Sequence, residues 1–351
     1  MAGEFKKETQ MMYSERLDDL LEQLPSFCST FFAQKRKLSA VTAATYGYDL
    51  RQFFLYLALN NSYYGNRIKV YEVDGNQRLD SSSLLLSDLE NITADDIGEF
   101  TAFLEKKKGL QKLTIEHYLS AISSLWEFFI KRRDLPPYNP VDAIDRVKRD
   151  KEHIVRLTRE EKDIFLNTIE FGEGLTKKQL QYHVKNKARD YAIYKLFLST
   201  GMRVSELVGI DISDIDFEDC SINVVRKGGK EQKLFFSDGA ADAINSYLGV
   251  RNSTYKPVDG EDALFLGPQG KRLSIRSVQK LTTKYVNAAL AKKNDKITTH
   301  KLRSTFATLM LEETHDIKRV AGLLGHENVV TTEHYAAYLN EDNKNLRNLV
   351  D

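Results

Sequence analysis

A mainly α-helical protein of two domains, the second a helical body with a small antiparallel sheet, follows from three features of this 351-residue sequence. Apolar residues recur at helical spacing through every long segment of the first half and most of the second. Strand-like alternation is confined to one short stretch of the second half. Three of the six prolines, Pro136, Pro137 and Pro140, fall within five residues and mark a joint. Roughly 150 residues per domain also makes two domains of this length. A composition of 42% hydrophobic and 29% charged residues excludes fibrous and disordered classes.

The first domain, 1–135, reads as all helix. Tyr46, Leu50, Phe53, Phe54 and Leu57 form one apolar stripe. The polar stretch from Asn60 to Leu84, with Tyr63, Tyr64 and Tyr71, reads as a long loop or small hairpin. Thr93 caps a second helix carrying Ile97, Phe100, Phe103 and Leu104, and Tyr118, Leu119, Ile122, Leu125, Trp126 and Phe129 stripe a third. Aromatics at this spacing are core residues rather than stacking platforms for bases. Residues 136–156 read as a linker, exposed and charged from Val141 to His153.

Thr158-Arg159-Glu160-Glu161 is a capping box that opens the second domain, 157–351. Helices are expected around 160–170 and 187–199. Asp216–Val225 and Lys233–Phe236 then read as strands joined across Lys227-Gly228-Gly229-Lys230, where adjacent glycines permit a tight turn. Helices return over Asp238–Leu248, Ser274–Lys292, His300–Glu312 and Asp316–Leu324. Leu339–Asp351 has the pattern of a short amphipathic helix.

No run approaches the ~18 apolar residues of a membrane span, and the first residues lack the apolar core of a signal peptide, so a cytosolic chain is expected. Cys28 and Cys220 are far apart in sequence and read as small buried residues, not a disulfide or a zinc site. The formal net charge of +1 conceals a strong asymmetry. From Lys271 to Arg303 there are ten Lys or Arg against Asp295 alone, a local +9 that leaves −8 on the rest. A second basic stretch runs from Arg226 to Lys233. Basic tracts are usually solvated faces, but charge gathered on one surface attracts a phosphate backbone whatever the total.

Unusual polar groups stand at the ends of several expected elements. Gly201-Met202-Arg203-Val204-Ser205-Glu206-Leu207 sets an arginine just after a helix-ending glycine, among apolar residues that imply partial burial of its charge. Lys227 lies at the expected hairpin tip. Thr298-Thr299-His300-Lys301-Leu302-Arg303 starts a helix, so His300 and Arg303, three apart, share a face near its positive end. Leu323-Leu324-Gly325-His326 ends another, and Tyr335 follows nine residues later. No acidic cluster suits Mg²⁺ or Zn²⁺, so neither metal nor cofactor is expected.

These residues resemble the tyrosine recombinases, the family of phage integrases and Xer site-specific recombinases. The resemblance rests on the motifs at 201–207, 226–230, 300–303 and 323–326 and on Tyr335, in family order and spacing. It covers nearly the whole second domain. The first resembles the family's helical core-binding domain more weakly, and together they imply a two-domain clamp on DNA. The layout is similar to the single-recombinase Xer proteins of streptococci, without the extra N-terminal domain of many phage integrases. One departure is Ser304, where the family commonly has a second histidine after the motif arginine.

The resemblance implies phosphoryl transfer without metal or nucleotide, by positioning, charge neutralisation and proton movement. Tyr335 is the implied nucleophile, leaving a covalent 3′-phosphotyrosine. Arg203 and Arg303 would hold the non-bridging oxygens, in a fork geometry lysine does not reproduce. Lys227 would protonate the departing 5′-oxygen, with Lys230 and Lys233 as rivals; His300 would assist proton transfer and His326 would hydrogen-bond the phosphate. Glu206 would orient its neighbours. His334 and Tyr338 flank the nucleophile, and Tyr338 is its alternative; His117, His153, His183 and His315 read as surface or structural residues.

Charge and helical phase nominate Lys230, Lys271, Arg272, Ser274, Arg276, Ser277 and Lys280 as DNA contacts. The tail 339–351 would dock on a neighbouring subunit, linking four protomers on two recombination sites, with a DNA translocase or accessory factor as a further partner. Chromosome dimer resolution, mobile-element integration and DNA inversion share this chemistry. A type IB topoisomerase or a catalytically silent DNA-binding regulator are the alternatives from other classes.

Overall fold

The computed structural model describes residues 4–35, 38–146, 155–226, 229–290 and 297–325. The chain divides into two compact units, residues 7–150 and residues 151–351 together with 1–6.

Helices α1 (Glu4–Leu21), α2 (Ser26–Gln34), α3 (Ala40–Asn60) and the single turn α4 (Ser62–Gly65) lead into the hairpin β1 (Lys69–Val73) and β2 (Asn76–Asp80). Helices α5 (Ala94–Lys106) and α6 (Lys112–Arg132) complete this unit. The expected stripes are its core. Leu50, Phe53, Phe54 and Leu57 of α3 meet Ile97, Phe100 and Leu104 of α5 and Leu119, Ile122, Leu125, Trp126 and Phe129 of α6. Phe53 lies 5.1 Å from Phe100 and 6.4 Å from Trp126 between ring centroids, within the range where aromatic pairs attract beyond their burial. Thr93 caps α5 reciprocally: Asp96 N donates to its hydroxyl and Thr93 N to the Asp96 carboxylate. The hairpin turns on Asp74 and Gly75, both with positive φ, as a two-residue turn of this twist requires.

The proline cluster does not release the chain into a linker at 136. A 3₁₀ turn, Pro140–Ala143, folds back, with Asn139 accepting from Val141 N and donating to Ser123 Oγ at 2.9 Å. Val141 and Leu135 are buried in the first core. Proline at the first position of a helical turn loses no bond, since that N–H has no partner there anyway.

The second unit holds α7 (Arg159–Phe171), α8 (Lys177–Thr200), α9 (Val204–Val208), the antiparallel strands β3 (Ile215–Asp216), β4 (Ser221–Val225) and β5 (Glu231–Phe235), then α10 (Asp238–Tyr255), α11 (Ile275–Ala289), α12 (Thr299–Thr314) and α13 (Ile317–Leu324). Ile222 pairs with Ile215 and Leu234, and Val224 with Gln232. Ile222, Val224 and Leu234 press into a core with Phe165, Ile193, Phe197, Ile244, Tyr247, Val278, Tyr285 and Leu302. Thr158 and Glu161 form the expected capping box of α7.

Buried polar groups fasten α8 to α11. The fully buried Asp190 accepts from Arg189 Nη2 at 2.7 Å and from the Tyr285 hydroxyl at 2.7 Å, with Lys284 Nζ at 3.5 Å. Burial and the Asp190 charge push the Tyr285 hydroxyl up. His183 is buried too, its Nε2 2.7 Å from Ile169 O, a structural histidine. Cys28 is buried, whereas Cys220 is half-buried at the β3–β4 turn with φ +43, so only the first cysteine matches the expectation of burial. Among the described residues no helix is long and apolar enough to cross a membrane, and no group of three or more His, Cys, Asp or Glu could hold a metal ion.

Candidate active site

The site grows from the end of α8. Gly201 leaves the helix at φ +60, and a Cβ there would stand 2.1 Å from the Phe306 ring, so this turn admits only glycine. Arg203 follows at the start of α9, and Glu206 one turn on holds it twice. Glu206 Oε2 accepts from Arg203 N at 2.7 Å, and Oε1 accepts from Arg203 Nη1 at 3.0 Å. The Glu206 side chain is 4% exposed and that of Arg203 38%, so a fixed carboxylate orients a guanidinium that still reaches the surface.

A second arginine meets the same carboxylate from inside. Arg226 Nη1 donates to Glu206 Oε2 at 2.9 Å, Nε to Gln232 Oε1 at 2.9 Å, and Nη2 to Leu323 O at 2.8 Å. Burial pulls its guanidinium down while the Glu206 charge opposes the change. The sequence reading gave Arg226 no role, because it heads a basic run. The missed signal is the strand period: Ile222 and Val224 of β4 are core residues, and Arg226, the next position in that period just past the strand end, is buried too.

Arg303, 2% exposed, ties two ends together: Nη1 donates to Gly201 O at 2.8 Å and Nη2 to Leu324 O at 2.5 Å. Gln232 Nε2 donates to Gly322 O at 3.0 Å. The carbonyls of Gly322, Leu323 and Leu324 at the end of α13 are thus taken by Gln232, Arg226 and Arg303, with Gly325 N also donating to Gly322 O at 3.0 Å. Two cations at this terminus also suit its negative dipole end. Gly325 ends α13 at φ +62, where a Cβ would come within 3.0 Å of Arg226 Nε.

Arg203, Glu206 and Arg303 are therefore brought together with the end of α13. His300 is exposed in the first turn of α12, one turn before the buried Arg303. Lys227, His326 and Tyr335 lie outside the described residues, as do His334, Tyr338 and the expected tail helix 339–351.

The nominated DNA contacts divide. Lys230, Lys271, Arg276 and Lys280 are exposed, with Arg276 and Lys280 four apart on α11, clear of the buried Val278, Thr282 and Tyr285. Arg272 is half-buried. Its guanidinium turns inward to Val208 O at 3.0 Å, Ile210 O at 3.2 Å and the Asp211 carboxylate at 2.5 Å, committed to holding the loop after α9. Ser274 and Ser277 bond each other across the cap of α11, where Ser277 N donates to Ser274 Oγ at 3.2 Å.

A protein with this helical body, small sheet and paired arginines matches the phage integrase family over residues 173–341. The chain is 30% identical to a tyrosine recombinase XerC of Caldanaerobacter subterraneus subsp. tengcongensis, over 99% of this chain and 90% of the relative. It therefore belongs to the tyrosine recombinase family, whose members are DNA strand-exchanging enzymes. A tyrosine recombinase XerS of Streptococcus agalactiae is also 30% identical, over 94% of this chain and 97% of the relative. Among solved structures, XerH recombinase bound to palindromic difH substrate in a post-cleavage complex shares the fold at a TM-score of 0.64 and 22% identity. The match covers 89% of this chain and 81% of that one.

Proposed function

We propose that this protein is a Xer-type site-specific recombinase that cleaves and rejoins double-stranded DNA through Tyr335, acting in the cytoplasm to resolve chromosome dimers. The observation that carries the reading is the Arg303 bridge between Gly201 O and Leu324 O. It draws the 201–207 and 300–303 motifs and Leu324 at the end of α13 into one place, beside a carboxylate that presents Arg203. Similarity to XerC and XerS over nearly the whole chain supports the Xer assignment.

The Tyr335 oxygen, giving up its proton with the help of His300, attacks the scissile phosphorus, the P–O5′ bond breaks, and the 5′-oxygen leaves with a proton from Lys227. The 3′-phosphotyrosyl bond then yields to a 5′-hydroxyl from the partner strand, which reverses the same proton transfers. Arg203 and Arg303 neutralise charge on the phosphoryl oxygens, where preorganised donors have their largest effect on rate. His300 sits at the positive end of α12, and His326 follows the glycine that ends α13. Lys230, Lys271, Arg276 and Lys280 meet the DNA backbone, and the tail 339–351 links four protomers across two sites.

The test uses the purified chain and its Tyr335→Phe variant with nicked suicide duplexes carrying chromosomal candidate sites or mobile-element ends. A denaturation-resistant protein–DNA adduct from the unaltered protein alone is expected, on a chromosomal site. An adduct on mobile-element ends only would replace dimer resolution with integration. Specific binding without any adduct would overturn the enzymatic reading.

A further inference from the structure

Arg226 stands outside the six residues assigned to the chemistry, yet its side chain reaches three separate segments of the site. It contacts Glu206 on α9, Gln232 on β5 and Leu323 O at the end of α13. The role this implies comes from counting charge around Glu206. One carboxylate faces two guanidiniums: Arg203, partly at the surface, and Arg226, buried at 6% exposure. Were Arg203 its sole cation, the pair would be neutral, and an approaching phosphate would meet a dipole in place of a charge.

We infer that Arg226 is a positioning residue that neutralises Glu206 from the buried side, so that Arg203 is oriented by a carboxylate and still presents its full positive charge to the scissile phosphate. The inference rests on the recombinase reading above. Three directional bonds set the plane of Arg226, which the single ammonium of a lysine does not replicate. Gly325 leaves the room for it: any side chain there would press on Arg226 Nε and Cζ. The two arginines thus divide one task, with Arg226 matching the carboxylate and Arg203 meeting the anion.

The experiment compares adduct formation on suicide duplexes carrying either an ordinary phosphodiester or a methylphosphonate at the scissile position. The latter lacks the anionic oxygen that needs neutralising. Arg226→Gln is expected to form adduct on the order of 10- to 100-fold more slowly on the phosphodiester, while site binding stays near that of the unaltered protein. On the methylphosphonate the variant and the unaltered protein should converge. The double variant Glu206→Gln/Arg226→Gln removes the buried pair together, so it leaves no uncompensated charge and should fold even if Arg226→Gln does not. It is expected to cleave the phosphodiester faster than Arg226→Gln alone, since Arg203 regains an unopposed charge. Equal losses on both substrates, or a double variant no faster than the single, would overturn the inference and leave Arg226 a merely structural arginine. Failure of the unaltered protein to form adduct would instead defeat the recombinase reading itself.

Discussion

Asp190 on α8 and Glu206 on α9 are both buried carboxylates that draw two cations, but their surroundings differ in one respect. Around Asp190 the circle closes: Arg189 and Lys284 are themselves sheltered, and the Tyr285 hydroxyl takes the remaining oxygen. Around Glu206 it stays open, because Arg203 keeps much of its side chain at the surface. The same local electrostatics therefore yields a rivet in one place and an anion receptor in the other. What separates them is whether the last cation is covered.

The largest effect is expected at the closed cluster. Asp190→Ala would leave Arg189 buried without its carboxylate, at a cost of ~3–5 kcal/mol in folding stability. Adduct formation per folded molecule should stay near that of the unaltered protein. Chemical denaturation alongside active-fraction titration checks this, and an unchanged denaturation midpoint would break the contrast. Arg203→Ala should behave in the opposite way. Cleavage is expected to fall roughly 10²–10³-fold, while stability changes by less than about 1 kcal/mol, since a part-exposed ion pair is worth little. A large loss of stability here would mean that the open cluster is also a rivet.

A third carboxylate sharpens the comparison with a smaller effect. Asp49, on α3 of the first unit, is buried with Oδ2 lacking any partner, and burial pushes its carboxyl up to about 7. The unfolded chain releases this proton near pH 4 and the folded chain holds it until about pH 7, so stability falls as pH rises across that interval and then levels off. Asp49→Asn should remove that slope and stabilise the protein by ~1–3 kcal/mol above neutrality. Denaturation at about pH 5 and about pH 8 reads both. A parallel pH slope in the variant would assign the dependence to another group.

Much of this was legible in the residues themselves. Apolar periodicity located the helices, because an amphipathic stripe is a local consequence of burying one face. Thr93 and Thr158 marked their starts, because a cap needs only itself and the residue three positions on. The motif around Arg203 stood out as a charge among apolar residues, and that around Arg303 as a histidine and an arginine sharing one face at a helix start. Tertiary partners were not legible. Arg226 and Arg272 read as members of basic runs, and only the fold places the Leu323, Val208 and Ile210 carbonyls within their reach. That the chain packs on past the prolines at 136–140 was not legible for a related reason. Prolines announce a break in hydrogen bonding but carry no information that Val141 will return to the core.

The grip on the last carbonyls of α13 has a consequence for how the protein tolerates change over generations. Gln232, Arg226 and Arg303 grasp atoms that every amino acid carries, so replacing Leu323 or Leu324 by another residue that packs leaves the handholds in place. Removing one residue from α13 is a different matter. It would turn the helix end by about 100° and draw it back by about 1.5 Å, taking all three carbonyls away from their donors at once. Evolution at this helix is therefore permissive in spelling and strict in length.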